Sequence, residues 1–232
     1  MPFNLRGKLL RARVEVAAIV RGSRPVEDYT MDQRRSMWPL PKMVPQRLLD
    51  RCKVIESRIA MLDLMPKDGV CAEIGIFRCD FSALIIEKTQ PKILHLIDID
   101  SCATERAHNK FRDEIHNQKI KVHLGNSPAI LALMPDEYFD WLYIDGDHTY
   151  EGAKADLAAA LPKMKGSGII ALNDYVFFAP MDFGKYGVVE AVNEFCIEND
   201  FEMIYFALAG RGYHDVALRR ASGHHLDRGS VA

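Results

Sequence analysis

The sequence predicts an α/β fold built on a mostly parallel, doubly wound sheet. Two observations carry that expectation. From Val70 to Asn199 short apolar runs alternate with helical stretches, and strands alternating with helices imply a parallel sheet with helices on both faces. Near the C-terminus two strand-like runs flank Gly210-Arg211-Gly212, a short glycine-rich link that makes them an antiparallel hairpin.

Taken in order, Leu5–Val20 reads as an amphipathic basic helix carrying Arg6, Lys8, Arg11 and Arg13. Glu15 interrupts its apolar run and no small-residue cleavage site follows, so it does not read as a signal peptide. Packing on the domain or on a second copy of the chain, giving a homodimer, is its expected role, with membrane-surface contact as the alternative. Residues 22–46 hold Pro25, Pro39, Pro41 and Pro45 and read as irregular. Arg47–Leu64 reads as a helix, with Leu48, Leu49, Val54, Ile55, Ile59, Ala60 and Leu62 at helical spacing.

Seven strands follow: Val70–Ile74, Lys92–Ile99, Ile120–Gly125, Phe139–Asp145, Gly168–Asn173, Phe201–Ala209 and Tyr213–Arg220. Helices are expected over Phe81–Thr89, Thr104–Asn117, Pro128–Leu133, Tyr150–Lys163 and Val188–Asn199. The expected organisation is an N-terminal helical or irregular extension over 1–64, serving as cap or dimer contact, one domain over 65–220, and a loose polar tail over 221–232.

Composition narrows the function. The chain has 232 residues, 48% hydrophobic and 27% charged, with net charge -2 and pI near 6.4. A nucleic-acid binder usually shows a strongly basic domain, so a small-molecule partner is expected instead. The five cysteines, Cys52, Cys71, Cys79, Cys102 and Cys196, form no CxxC pair, which fits reduced thiols in a cytoplasmic protein. No apolar run reaches the ~18 residues of a membrane span.

Parallel sheets bind ligands beyond the carboxyl ends of their strands. The first such end reads Glu73-Ile74-Gly75-Ile76-Phe77. Gly75 lets a ligand approach the backbone, while Glu73 would repel the pyrophosphate that a dinucleotide fold places here. The loop also lacks the three glycines of a dinucleotide fingerprint. S-adenosylmethionine (SAM) has no phosphate and is cationic, so it suits an acidic loop. Asp98, 23 residues after Gly75, is placed to accept hydrogen bonds from ribose hydroxyls, with Asp100 in reserve or capping the next helix. Asn126 and Ser127 lie where an adenine edge would fall, and either bind it or cap the short helix that follows.

These features resemble the class I SAM-dependent methyltransferases over roughly Val70–Arg220. The resemblance implies a Rossmann-like seven-stranded sheet in the order 3-2-1-4-5-7-6, with strand seven antiparallel. Cys79 stands where that family often has a second glycine.

The stretch Asp145-Gly146-Asp147-His148, with Asn173-Asp174-Tyr175 at the end of the next strand, is similar to the macrocin and mycinamicin O-methyltransferases, and to the catechol type. The resemblance implies a Mg²⁺ site at Asp145, Asn173 and Asp174, and a general base at His148. Asn173 replaces a carboxylate of that pattern. Asp147 reads equally as the cap of the next helix. The expected reaction is methyl transfer from SAM to a hydroxyl of a small molecule or sugar, with the metal lowering the hydroxyl's pKa. The connection Tyr175–Gly187, holding Phe177, Phe178, Phe183, Lys185 and Tyr186, is long enough to be a lid. Metal-independent N- or O-methyl transfer is the alternative. A glycosyltransferase using Asp145-Gly146-Asp147 and a non-catalytic SAM-binding protein are the remaining readings.

Overall fold

The computed structural model describes Thr30, Asp32, residues 40–181 and residues 184–222. The basic segment Leu5–Val20, Phe183 and most of the C-terminal tail lie outside the described residues. The architecture below belongs to the unit Lys42–Ala232.

The sheet has eight strands, one more than expected: β1 (Lys53–Ile55), β2 (Val70–Ile74), β3 (Ile93–Asp98), β4 (Ile120–Leu124), β5 (Phe139–Ile144), β6 (Met164–Leu172), β9 (Phe201–Ala207) and β10 (Asp215–Arg220). Two short strands, β7 (Phe178–Ala179) and β8 (Gly184–Lys185), form a separate hairpin. The order is β1-β9-β10-β6-β5-β2-β3-β4. β10 runs antiparallel to both neighbours, and β1 pairs parallel with β9. The seven expected strands keep their relative order; β1 adds an edge beyond β9.

The extra strand corrects the reading of Arg47–Leu64 as one helix. That segment divides into a 3₁₀ turn at Gln46–Leu48, β1, and helix α1 (Arg58–Asp63). Its apolar spacing was compatible with a helix, but β-branched Val54 and Ile55 complete the sheet edge beside Phe206 and Ala207. Ser57 then starts α1, its hydroxyl accepting from the Ala60 N–H. Because β1 is parallel to the main strands, residues 56–59 emerge at the same sheet edge as the other loops.

The helices form two outer layers. α2 (Asp80–Thr89) and α3 (Ser101–Lys110) join α1 on one face, packing Met61, Leu62, Ile85 and Ala107 against Cys71, Leu94 and Trp141. On the other face α5 (Ser127–Ala132), α6 (Tyr150–Ala160) and α7 (Val188–Asn199) pack Leu131, Leu157, Val192 and Phe195 against Ala72, Leu142 and Ile170. α4 (Arg112–His116) was expected to be continuous with α3; Phe111 separates them. Alternating side chains of β5 feed both cores, Leu142 and Ile144 one way, Trp141 and Tyr143 the other.

Among the described residues no helix is long and apolar enough to cross a membrane.

Candidate active site

Two cavities open at the carboxyl edge of the sheet and meet at Asp145. The first, about 500 Å³, runs over the ends of β2, β3 and β4 and is lined by Gly75, Asp98, Ile99, Asn126, Ser127, and the turn after β5. Among the described residues four aspartates line it, Asp98, Asp145, Asp147 and Asp156, and no lysine or arginine does.

Gly75 has φ +81°, and a Cβ there would lie 2.0 Å from the Asp145 carbonyl oxygen. The glycine is required because two loops touch at this point. Cys79, where the resembled family often has glycine, has φ +60°, so that position keeps a glycine-like backbone without the residue. Asp98 holds the loop: one carboxylate oxygen accepts from the Ile76 and Phe77 N–H groups at 2.8 and 3.4 Å, the other from Asp100 N–H.

Several expected site residues sit where they can meet a ligand and some do not. Asp98, Gly75, Asn126, Ser127 and Asp145 line the cleft. Asp100 caps α3 through Cys102 N–H. Asn126 caps α5 while facing the cleft. Thr149, rather than Asp147, caps α6. Ile76 and Phe77 contribute backbone N–H groups to Asp98 instead of side chains to the lining, and Phe77 is exposed. Glu73 points into the interior. It is 2% exposed and accepts from the Ser82 hydroxyl. Burial pushes its carboxyl up to about 8, a shift the Ser82 hydrogen bond opposes. The acidic character expected from Glu73 is thus supplied by the four aspartates.

The second cavity, about 590 Å³, is lined by residues 56–59, Asp145, Asn173, Asp174, the loop Leu208–Arg211, Tyr213 and Asp215. Behind two of its lining residues, His148 Nε2 lies 3.4 Å from Asp145 Oδ1 and 3.6 Å from Asp174 Oδ2. Neither contact is an aligned hydrogen bond, and the nitrogen is buried. Burial works against the imidazolium, but Asp145, Asp174 and Asn173 outweigh it and raise the histidine's pKa. Asp174 sits at φ +56°, a backbone region costly for a non-glycine residue. The Tyr186 ring stacks on His148 at 4.8 Å and 8°, and Gly187 N–H donates to the His148 carbonyl. The connection after β6 is therefore tied to this histidine.

Beneath the cavity lies a polar network that sequence reasoning missed. The Tyr143 hydroxyl, fully buried, donates to Asp215 Oδ2 at 2.6 Å and accepts from Arg58 at 3.3 Å and Asn173 Nδ2 at 3.2 Å. Asn173 Nδ2 also donates to Asp215 Oδ1. Burial pushes the Asp215 carboxyl up to about 7, against the Tyr143 hydrogen bond and Arg58. The signal for Arg58 was Ser57, a helix-start residue inside what read as a continuous helix. Tyr143 and Asp215 carried no local signal.

Among the described residues no group of three His, Cys, Asp or Glu side chains is arranged to hold a metal ion. Asp145 and Asp174 converge on a ring nitrogen, and the Asn173 Nδ2 donates into the network below.

Residues 72–175 match the family model described as a methyltransferase domain. This segment runs from β2 to just past β6 and holds both strand ends that meet at the two cavities. No curated protein matches the chain. Solved structures share the fold. The B. subtilis tRNA methyltransferase TrmK aligns at 15% identity over 72% of this chain and 67% of its own, TM-score 0.55. The ribosomal protein L11 methylase of Lactobacillus delbrueckii subsp. bulgaricus aligns at 16% identity, 70% and 77%, TM-score 0.52. A Streptococcus mutans protein in complex with SAH aligns at 11% identity, 71% and 96%, TM-score 0.54. At such identities the likeness speaks to fold, and the fold is a Rossmann-like methyltransferase fold.

Proposed function

We propose that the chain is a SAM-dependent methyltransferase that methylates a hydroxyl of a small molecule or sugar. The cleft, with four aspartates and no lysine or arginine among the described residues that line it, carries this reading. Like charges at close range in a partly dry site repel strongly, so a dinucleotide or nucleotide-sugar diphosphate is disfavoured, and with it the glycosyltransferase reading. A cofactor with sulfonium and ammonium charges and no phosphate suits the same walls. Asp98 would take the ribose hydroxyls, and Asn126 and Ser127 the adenine edge.

The methyl group would cross at Asp145, where the cavities meet. The acceptor oxygen attacks the methyl carbon, the carbon–sulfur bond breaks, and S-adenosylhomocysteine (SAH) leaves as a neutral thioether. His148 Nε2 takes the hydroxyl proton, oriented by the Tyr186 stack and held between Asp145 and Asp174. Most of the rate gain comes from positioning. The second cavity lies within the 300–1,000 Å³ usual for small-molecule sites. TrmK and the L11 methylase act, by name, on a tRNA and a ribosomal protein, so macromolecular acceptors belong in any substrate screen.

Mg²⁺ assistance is the second reading, favoured by Asp145, Asn173 and Asp174 lining the same cavity. Those two aspartates and the Asn173 amide oxygen would hold the ion, lowering the acceptor's pKa. Calorimetry with SAH and NAD, followed by turnover on a panel of hydroxyl acceptors, tests the proposal. NAD binding tighter than SAH would overturn the cofactor assignment.

A further inference from the structure

Arg58 enters the site from an element outside the seven-stranded core, and its guanidinium is only partly used. Nη1 donates to the Tyr143 hydroxyl and lies 3.8 Å from Asp145 Oδ2, and the group sits 4.8 Å over the Phe81 ring at the start of α2. Among the described residues Nε and Nη2 make no hydrogen bond, although the side chain is 43% exposed and lines the second cavity. Arg58 is also the only lysine or arginine described within ion-pair range of Asp145.

We infer that Arg58 is the anchor for the carboxylate of the cofactor's amino-acid end. The inference rests on the SAM reading above. With adenosine over β3 and β4, at Asp98, Asn126 and Ser127, the cofactor's other end passes Gly75 and Asp145 and reaches Arg58. That end is zwitterionic. Its ammonium and the sulfonium suit the aspartates, but its carboxylate would be repelled by them without a cation. Arg58 supplies one, with a free edge of the planar fork that binds carboxylates in bidentate fashion. β1 exists in this architecture at the place needed to deliver it: its parallel pairing with β9 brings Glu56–Ile59 to the ligand edge.

The test compares two ligands that differ in this end alone. SAH carries the amino acid; 5′-methylthioadenosine keeps the adenosine and sulfur but lacks it. Arg58→Ala should weaken SAH by about 10- to 100-fold, the range for a hydrogen bond to a charged group, and change 5′-methylthioadenosine affinity by less than about 3-fold. Arg58→Lys, which keeps the charge and loses the fork, should fall between wild type and Arg58→Ala for SAH. Binding of 5′-methylthioadenosine also reports that each variant is folded. Unchanged SAH affinity in both variants would overturn the inference while leaving the SAM reading intact. Equal losses for the two ligands would also overturn it, since Arg58 would then act on the whole cleft through Tyr143 and Asp215. If Arg58→Ala does not fold, the comparison in Arg58→Lys decides: no selective loss of SAH sinks the idea. A wild-type protein that binds neither ligand overturns the SAM reading itself, and this inference with it.

Discussion

His148 Nε2 and Asp145 Oδ1 lie 3.4 Å apart with no aligned hydrogen bond between them, so the nitrogen is oriented by its neighbours without being occupied by them. A base that must accept a substrate proton benefits from that arrangement, because hydrogen bonds of catalytic groups often tighten only once substrate is present.

The first prediction follows from this pair. His148→Ala should lower kcat by about 10²–10⁴-fold, the usual worth of a general base, and leave SAH affinity within about 3-fold of wild type. Added imidazole should restore part of the rate. A variant with full turnover would assign the proton to another group.

Asp98 has two tasks. It receives the Ile76 and Asp100 N–H groups and faces the cleft. Asp98→Ala should therefore cost about 1.5–3 kcal/mol in SAH binding, the range for hydrogen bonds to a charged group, and also loosen the loop that carries Gly75. Calorimetry measures the first effect, and amide exchange at Ile76 and Phe77 the second. Affinity equal to wild type would remove Asp98 from the cofactor site.

Gly75→Ala should be severely damaging. The positive φ costs a non-glycine residue about 1–3 kcal/mol, and the added carbon would overlap the Asp145 carbonyl. Relief requires the two loops to separate, which spoils both the fold and the cofactor cleft. A denaturation midpoint unchanged from wild type would mean that the loops separate freely.

Activity should persist in EDTA. The two aspartates converge on His148 rather than on a shared oxygen-lined point, and no described three-residue cluster has ligating geometry. Turnover measured across a Mg²⁺ titration decides it. Loss in EDTA with recovery on Mg²⁺ would install the metal-assisted reading instead.

The sheet was largely legible because a parallel core demands continuous apolar strands, and each ends on a polar turn. Val188–Asn199 reads from its pattern alone. The edge strand Lys53–Ile55 was not legible: three residues are too short to show a period, and long-range pairing with Tyr205–Ala207 is what makes them a strand. In the candidate site, the strand-end residues that line the cavities were readable because topology puts ligands there. Arg58 and Asp215 were missed because they meet Tyr143 only through the fold. Glu73 shows the opposite limit. Its position beside Gly75 was readable, but one step of the strand's alternation decides whether a side chain faces the cleft or the core.

That burial gives a last prediction. The Glu73 carboxyl is pushed up to about 8 by burial, from an unfolded value near 4.5. Between those values the unfolded chain has lost the proton while the folded chain keeps it, so the unfolded state binds fewer protons. Stability contributed by this group then falls as pH rises from about 4.5 to 8, by at most about 1.4 kcal/mol per pH unit, and levels off above the folded value. Below about 4.5 both states are protonated and the contribution is complete. Glu73→Gln removes the titration while leaving an amide beside Ser82. The variant should therefore gain on the wild type as pH rises, the gap in denaturant midpoint at pH 7.5 exceeding that at pH 5.5. Asp215, raised to about 7 by its own burial, gives both proteins a slope of the same sign, which cancels in the difference between them. Parallel stability curves for the two proteins across this window would show that Glu73 is already ionised in the folded state, with Arg58 and Ser82 stabilising the charge more than burial opposes it.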